Sequence, residues 1–125
     1  MVIDTSALLA VFFNEVHGTW VAENLSKNSS SLRMSTVNLD ETLILVKDRQ
    51  PQEADTIENL IQESSIRFVP PSYQQAKIAS MARLKYPLNL GGCFAYALCK
   101  DEGAPLLTLD SDFKKTEPAG KHITP

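Results

Sequence analysis

Residues 1–13, which read MVIDTSALLAVFF, decide the fold class of this chain. Residues 1–3 form a short apolar run that predicts a buried strand, and the apolar spacing of residues 6–13 predicts the helix after it. The same unit, a short apolar run followed by a helical pattern, recurs along the sequence. Because strands alternate with helices, we expect parallel strands joined by right-handed crossovers, in a sheet covered on both faces.

The later elements follow from the same pattern and from their end signals. Further strands are predicted at 32–35, 66–69 and 106–109, and further helices at 17–28, 36–47, 52–63, 72–86 and 92–102. Thr36 is an expected N-cap, Ser72 and Gln75 form a predicted capping box, and Gly103 follows the last helix. We therefore expect one domain, residues 1–125, with an α/β fold: a three-layer α/β/α sandwich around a central parallel sheet of four or five short strands.

The composition is that of an ordinary globular domain. Of the 125 residues, 43% are hydrophobic and 22% are charged, which excludes a disordered tail or a coiled coil. No apolar run approaches the roughly 18 residues of a membrane span, and the run at 7–13 lacks the basic leader and cleavage site of a signal peptide. Cys93 and Cys99 are too few for a disulfide framework. We therefore expect a cytoplasmic protein with buried thiols.

The charge is divided unevenly along the chain. The net charge is −3, but residues 1–63 carry 4 basic and 10 acidic side chains, whereas residues 64–125 carry 8 and 5. The two halves are therefore −6 and +3. This division is compatible with a polyanion held beside a cluster of carboxylates, although scattered surface charge would produce it as well.

Acidic residues stand at one end of the predicted sheet. Asp4 directly follows the first strand, and Asp110 follows the last, with Asp112 close behind. Glu41 lies on the apolar stripe of the helix after the second strand, where a carboxylate is costly unless it is paired. Taken singly, each acid has a simpler explanation as a helix cap, a turn residue or a helix edge. Taken together, they favour a shared site, because ligands of parallel sheets bind beyond the carboxyl ends of the strands.

Clustered carboxylates repel one another in water and therefore need a cation. An oxygen-only donor set, without cysteine or histidine, suits Mg²⁺ or Mn²⁺ and does not suit zinc. Such an ion activates a water molecule and neutralises charge on a phosphoryl oxygen. The residues therefore indicate hydrolysis of a phosphodiester.

Several segments also resemble the motifs of a known family. The opening residues MVIDTSAL, the segment NLGGCFAYAL at 89–98 and the segment LLTLDSDF at 106–113 resemble, in this order, motifs of the PIN-domain nucleases. Glu41 after Ser35 resembles the second acid of that family. The length is similar to that of the VapC-type toxins of bacterial toxin–antitoxin pairs. The resemblance implies a Mg²⁺- or Mn²⁺-dependent endoribonuclease, usually a homodimer, that is held inactive by a small VapB-type antitoxin filling its active site.

One position departs from the pattern of this family. The resemblance makes Asp4 and Glu41 the first two acids of a catalytic, metal-binding set, and it assigns the last to Asp110 and Asp112. Gly92 stands where relatives have the third acid, and glycine offers no ligand. We therefore expect a chain that keeps the fold and partner binding but has weak metal affinity and little or no nuclease activity. Two alternatives stay open: a divergent active enzyme, and a non-catalytic PIN-fold module that binds RNA or an antitoxin.

Basic residues flank the predicted site. Arg83 and Lys85 precede the third-acid position, and Lys114 and Lys115 follow the last motif, so these four are candidate contacts for the phosphates of an RNA substrate. Tyr86 is available to stack on a base. Each basic residue also fits the simpler interpretation of a solvated helix end.

Large apolar side chains stand near the start of the chain. They are Phe12, Phe13 and Trp20. We expect at least two of them to lie in the core. The alternative is that they form part of a groove that receives an antitoxin helix.

Two other folds that handle phosphate do not fit the sequence. A receiver domain needs an acceptor aspartate just after a central strand and a lysine after a later one, but Asp55 and Lys100 lie in predicted helices. A phosphatase of the haloacid dehalogenase type needs a second aspartate two residues after the first, where this chain has Ser6.

Overall fold

A parallel β-sheet forms the centre of the molecule, for which a computed structural model describes residues 1–116 and 122–125. The short strands are β1 (Val2–Ile3), β2 (Arg33–Ser35), β3 (Arg67–Val69), β4 (Leu106–Leu107) and β5 (His122–Ile123). They lie in the order β3-β2-β1-β4-β5, and every neighbouring pair is parallel. The predicted parallel sheet of four or five strands is confirmed.

Helices connect the strands and cover the sheet. They are α1 (Thr5–Phe12), α2 (Gly18–Lys27), α3 (Thr36–Arg49), α4 (Ala54–Glu63), α5 (Tyr73–Lys85) and α6 (Leu90–Glu102). A short 3₁₀ helix, Ser111–Lys115, follows β4. Among the residues that the structure describes, no helix is long and apolar enough to cross a membrane.

Neighbouring residues of the central strands point to opposite faces of the sheet and divide the core in two. Ile3 and Leu107 pack in one cluster with buried side chains of α1 to α4. Val2 and Leu106 pack in a second cluster with α5 and α6. Because none of these four side chains is more than 1% exposed, both faces of the sheet are covered. The expected three-layer α/β/α sandwich is confirmed.

The side chains that were assigned to the core are buried or partly buried. Phe12, Phe13 and Trp20 all pack, partly buried, against the cluster of α1 to α4, as expected for at least two of them; Phe12 also lines an apolar depression at the surface. Cys93 and Cys99 are both buried on α6, and neither forms a disulfide. The expectation of buried thiols is therefore confirmed.

The start of α3 corrects one prediction. Ser35 is the N-cap, and its Oγ accepts the N–H of Val37 at 3.2 Å. The prediction of Thr36 as N-cap is therefore wrong by one residue. The reason is that the extended backbone of β2 ends at Ser35, so that Thr36 already takes the helical conformation.

The observed ends of α5 and α6 match the predicted end signals in part. Ser72 caps α5, with its Oγ accepting the N–H of Gln75 at 3.1 Å. The capping box is not closed, because the Gln75 side chain is buried against α6 and donates to Asp101 Oδ2 at 3.1 Å. Gly103 ends α6 in the left-handed conformation, with φ of 62°, as predicted.

Helix α6 begins two residues earlier than the sequence predicts. Asn89 is its N-cap, because its Oδ1 accepts the N–H of Gly92 at 2.7 Å. Leu90 is the first helical residue. Gly92 therefore lies inside the first turn of α6 and does not begin the helix.

Candidate active site

A pocket opens at the carboxyl ends of β1 and β4. Three carboxylates from three elements line it: Asp4 before α1, Glu41 on α3 and Asp110 before the 3₁₀ helix. The other wall residues are Thr5, Ser6, Leu9, Asn38, Leu45, Asn89, Gly92 and Phe113. We call this cavity the acid pocket. The structure thus brings together three of the four acids selected from the sequence.

Hydrogen bonds hold Asp4 at both carboxylate oxygens. Oδ1 accepts from Ser6 Oγ at 2.7 Å and from the N–H of Ala7 at 3.0 Å, so Asp4 caps α1 as well as lining the pocket. Oδ2 accepts from Thr108 Oγ1. Burial raises the pKa of Asp4 to about 6; the hydrogen bonds oppose this shift, and the charge of Asp110 adds to it. Asp4 is therefore an acid that takes up a proton more readily than an exposed aspartate.

The Glu41 carboxylate lies between α1 and α6. Thr5 Oγ1 donates a hydrogen bond to Glu41 Oε1. The backbone of Gly91 lies on the other side: a Cβ on residue 91 would stand 2.6 Å from Oε1 and 2.7 Å from Oε2, closer than real Cβ atoms approach other atoms. The missing side chain of Gly91 therefore leaves the space that the Glu41 carboxylate occupies.

Asp110 and Asp112 occupy different positions. Asp110 lines the acid pocket, and its Oδ1 accepts the N–H of Asp112 at 2.9 Å, which caps the 3₁₀ helix. Asp112 is not a wall residue; its side chain is 44% exposed and faces Lys115 Nζ across 3.7 Å. The structure does not bring Asp112 to the other acids, and its role as a ligand stays a prediction.

Gly92 lies on the wall of the acid pocket, in the first turn of α6. This turn contains no acidic residue, although a helix N-terminus is where a carboxylate is best stabilised. A Cβ on residue 92 would stand 3.1 Å from Asn89 Oδ1 and 3.5 Å from Phe113 Cζ. A side chain here would therefore be closely packed, but it would meet other side chains and no backbone.

The acid pocket fits Mg²⁺ or Mn²⁺ in the kind of its donors but not in their spacing. The donors are carboxylates, without histidine or cysteine, as hard cations prefer. Within residues 1–116 and 122–125, however, no group of three or more His, Cys, Asp or Glu side chains lies close enough together to hold a metal ion. Asp4, Glu41 and Asp110 are therefore the residues that would contact a cation, as an incomplete ligand set.

Asn38 is a wall residue that the sequence analysis missed. Its side chain is 1% exposed, and its Nδ2 donates to the carbonyl oxygen of Gly91 at 3.1 Å and to Thr5 Oγ1 at 3.3 Å. Because a carbonyl oxygen only accepts, these bonds fix the orientation of the amide and leave Oδ1 without a partner among the described residues. The available signal was the spacing: Asn38 lies three residues before Glu41, on the same face of α3.

The basic residues selected from the sequence lie in different places. Lys114 lines a depression that shares Asp110 with the acid pocket. Lys115 is held in the exposed ion pair described above. Arg83 and Lys85 lie in the last turn of α5 and are not among the wall residues of the acid pocket. As contacts for a substrate, all four stay predictions.

Arg83 nevertheless lies near the start of α6. Burial raises the pKa of the Cys93 thiol, and the charge of Arg83 opposes this shift. Lys85 Nζ lies 5.3 Å from the centre of the Tyr86 ring, and that ring is 5.5 Å from the ring of Tyr96. Tyr86 is therefore already in contact with a neighbouring aromatic ring, and its stacking on a base stays a prediction.

An arginine and a histidine that were not predicted stand beside the acid pocket. Arg49 and His17 line a depression that shares Ser6 and Leu9 with the pocket. Arg49 ends α3 and His17 precedes α2, so they come from distant parts of the sequence. No local pattern in the sequence links the two residues to each other or to the acids.

Comparison with known proteins agrees with the geometry. The family model described as PIN domain matches residues 1–117. A Ribonuclease VapC from Mycolicibacterium smegmatis is 33% identical over 130 residues, which cover 98% of this chain and 100% of that protein. Ribonuclease VapC42 from Mycobacterium tuberculosis is 30% identical over 126 residues, which cover 94% and 95%.

Solved structures share the fold at low sequence identity. VapC20 from Mycobacterium tuberculosis, described as a sarcin-ricin loop cleaving toxin, matches with a TM-score of 0.78 and 14% identity over 91% of this chain and 92% of that one. VapBC2 from Rickettsia felis, bound to a DNA fragment from its promoter, matches with a TM-score of 0.80 and 13% identity over 98% and 96%. The chain therefore belongs to the PIN domain family and, within it, to the VapC ribonuclease toxins of toxin–antitoxin systems.

Proposed function

We propose that this chain acts on RNA as a VapC-type endoribonuclease, with Asp4, Glu41 and Asp110 as its catalytic acids. The observation that carries the proposal is their convergence on one pocket at the carboxyl edge of the sheet. Asp4 and Asp110 also cap helices, but a cap does not require a neighbouring acid. Because clustered carboxylates repel one another, a catalytic role explains the convergence of the three acids better than a structural one.

Hydrogen bonds preorganise two of these acids. Ser6 and Thr108 hold the Asp4 carboxylate, and Thr5 holds that of Glu41, before any substrate arrives. When bound beside these acids, Mg²⁺ or Mn²⁺ would supply an activated water molecule and neutralise charge on the phosphate. The fold sets the orientation of the carboxylates, so these residues determine where a bound ion would act.

We propose further that Gly92 impairs the nuclease. Gly92 lies on the wall of the acid pocket and in the helix turn that best stabilises a carboxylate, yet it contributes no ligand. The described residues also lack a complete metal-ligand cluster. Weak metal affinity and little or no cleavage of RNA follow from this incomplete set.

An RNA-cleavage assay tests both parts of the proposal. The chain and its Gly92→Asp variant are incubated with labelled single-stranded RNA and Mg²⁺ or Mn²⁺, and Glu41→Gln is made in both backgrounds as a control. We expect Gly92→Asp to raise the cleavage rate about 100-fold or more, and Glu41→Gln to abolish the gain. Equal cleavage by the chain and the Gly92→Asp variant would contradict impairment, and cleavage that survives Glu41→Gln would contradict the site.

The missing side chain at position 92 also favours a second candidate, a non-catalytic module that binds RNA or an antitoxin. An apolar depression between α1, α2 and α4 offers a surface for a VapB-type antitoxin helix; its apolar wall includes Phe12, Leu25, Leu60 and Ile66. If Gly92→Asp cleaves no RNA with either metal while the unsubstituted chain still binds it, this second candidate replaces the first.

A homodimer and a cytoplasmic location complete the proposal. Helix α5 carries Tyr73, Met81 and Leu84, which are 85%, 69% and 92% exposed, and such apolar groups favour an interface. Light scattering after size-exclusion chromatography tests the dimer, with Leu84→Lys expected to give a monomer. The cytoplasm contains the RNA substrate and keeps Cys93 and Cys99 reduced.

A further inference from the structure

A depression adjoins the acid pocket on the side of α2. The two cavities share Ser6 and Leu9, and the wall of the depression carries Arg49 and His17. A cation, Arg49, therefore stands beside the acid pocket on its α2 side.

A second depression adjoins both of these cavities. It shares Asp110 with the acid pocket, shares His17 and Leu109 with the first depression, and carries Lys114 on its wall. The two depressions therefore lie side by side next to the acid pocket. We call the surface that they form the basic groove and define it by Arg49, His17 and Lys114.

The turn that carries His17 is fixed against the end of α1. Glu15 N donates to the carbonyl oxygen of Ala10 at 2.9 Å, and Gly18 N donates to the carbonyl oxygen of Glu15 at 2.9 Å. Gly18 packs so closely that a Cβ on it would stand 2.5 Å from the Ala10 oxygen, so the approach of the two helices requires glycine here. Asn14 takes a left-handed φ of 51° in the same turn. The position of His17 is thus built into the backbone.

The floor of the basic groove is fixed as well. Ser6 Oγ accepts the N–H of Leu109 at 2.9 Å and donates to Asp4 Oδ1 at 2.7 Å. This hydroxyl ties α1 to the segment after β4 and links the groove to a catalytic acid. The groove and the acid pocket therefore keep a constant relation to each other.

The cations of the basic groove are available to a ligand. The Arg49 guanidinium lies 5.3 Å from the centre of the Phe13 ring, which holds it at the groove. Neither Arg49 nor Lys114 takes part in an ion pair with a residue of the described ranges, in contrast to Lys115. Two carboxylates also line the groove: Glu15 lies beside Arg49, and Asp110 lies on the same wall as Lys114.

The acid pocket itself repels phosphate, so an RNA strand must be held by cations next to it. Building on the proposed function, we propose that the single-stranded RNA beside the scissile phosphate lies in the basic groove. Its phosphates contact Arg49 and Lys114, and a base lies against His17 and the 94% exposed Val16. RNA fits this groove because cations at its sides and a stacking surface between them match a charged backbone with unpaired bases.

Fluorescence anisotropy tests the assignment. A labelled single-stranded oligoribonucleotide is titrated with the full chain in Mg²⁺ at several salt concentrations, and a denaturing gel checks that the RNA stays intact. Arg49→Gln and Lys114→Gln are each expected to weaken binding roughly three- to ten-fold and to reduce the salt slope by about 0.7. Glu15→Gln is expected to tighten binding, because it removes an opposing charge.

Matched variants separate a local contact from a change of net charge. Lys47→Gln lies on the same helix as Arg49 but about 200° around its axis, and Lys77→Gln lies on α5; neither residue lines the groove. Both controls are expected to stay within about two-fold of the unsubstituted chain. Equal weakening by the controls and by Arg49→Gln and Lys114→Gln overturns the groove assignment alone. If the unsubstituted chain binds no RNA, both the groove assignment and the proposed function fail.

Discussion

The carboxylate of Glu41 lies against the backbone of Gly91, in the space that a side chain at position 91 would fill. Gly91 and Gly92 are neighbours in one helix turn, but they have different surroundings. A Cβ on Gly91 would meet the Glu41 carboxylate at 2.6 Å, whereas a Cβ on Gly92 would approach Asn89 Oδ1 at 3.1 Å. The two glycines therefore matter for different reasons. Gly91 leaves room for the Glu41 carboxylate, whereas Gly92 stands where an acidic side chain would add a ligand.

Substitution of Gly91 tests the contact with Glu41. Gly91→Ala is expected to displace the carboxylate and to cost its hydrogen bond from Thr5, about 1–3 kcal/mol of unfolding free energy. In a Glu41→Ala background the clash is absent, so the same substitution should stabilise the helix by roughly 0.5–1 kcal/mol. Urea denaturation of the four proteins gives both values. If the effects of Gly91→Ala and Glu41→Ala on the free energy of unfolding simply add, the contact between the two residues is unimportant.

Gly92→Ala is the matched control for that cycle. The atoms nearest to its Cβ would be Asn89 Oδ1 at 3.1 Å, Leu88 Cβ at 3.4 Å and Phe113 Cζ at 3.5 Å, and none belongs to Glu41. Its effect on the free energy of unfolding should therefore be the same with and without Glu41, within about 0.5 kcal/mol. A dependence on Glu41 would show that the two positions are not separable.

Gly92→Asp should raise metal affinity. The new carboxylate would enter the acid pocket in the first turn of α6 and add a ligand to an incomplete set. We expect Mn²⁺ to bind at least roughly tenfold more tightly, and to raise the melting temperature of this variant more than that of the unsubstituted chain. Isothermal calorimetry and thermal unfolding measure the two effects. Gly92→Asn has nearly the same shape without the charge; an equal gain with it would refute the electrostatic explanation.

The stability of the metal-free protein should depend on pH through Asp4. Burial raises its pKa from 3.8 in the unfolded chain to about 6 in the fold, so the folded state binds the proton more tightly. This contribution is complete below about pH 4 and is lost as the pH rises through about 6, a decrease of up to about 3 kcal/mol. Denaturation in EDTA at several pH values measures it.

Asp4→Asn provides the comparison for that titration. The amide stays neutral, so the variant should lack the decrease, and the difference between the two curves isolates Asp4 from the other carboxylates. If both proteins lose the same stability between about pH 4 and 7, Asp4 is not the group responsible.

Asn38 should stabilise the junction of α1, α3 and α6. Asn38→Ala removes the hydrogen bonds to Gly91 and Thr5 from a fully buried position, and we expect a loss of about 1–3 kcal/mol. Asn38→Asp should cost more, because a carboxylate oxygen would face the carbonyl of Gly91. Asn24→Ala is the control: its amide also donates to a carbonyl, that of Trp20, but it is only half-buried. Equal losses at positions 38 and 24 would contradict this role.

Local features of the fold were predictable from the sequence because they depend on residues close together in the chain. Apolar periodicity identified the first four strands and the six helices. Ser72 and Gly103 marked helix ends through interactions that span only a few residues. The cap of α3 was misplaced because Ser35 and Thr36 are both suitable caps, and the end of β2 decides between them.

By itself, the sequence determined the order of strands and helices, and it identified three acids of the pocket because each directly follows a strand or lies on the helix after one. It also determined that no carboxylate stands at position 92. Only the tertiary structure decided that Asn38 lines the pocket, that Arg49 and His17 lie beside it, and that Asp112 is not one of its wall residues. The physical reason is that crossover packing brings residues together across separations that no periodicity or capping rule spans.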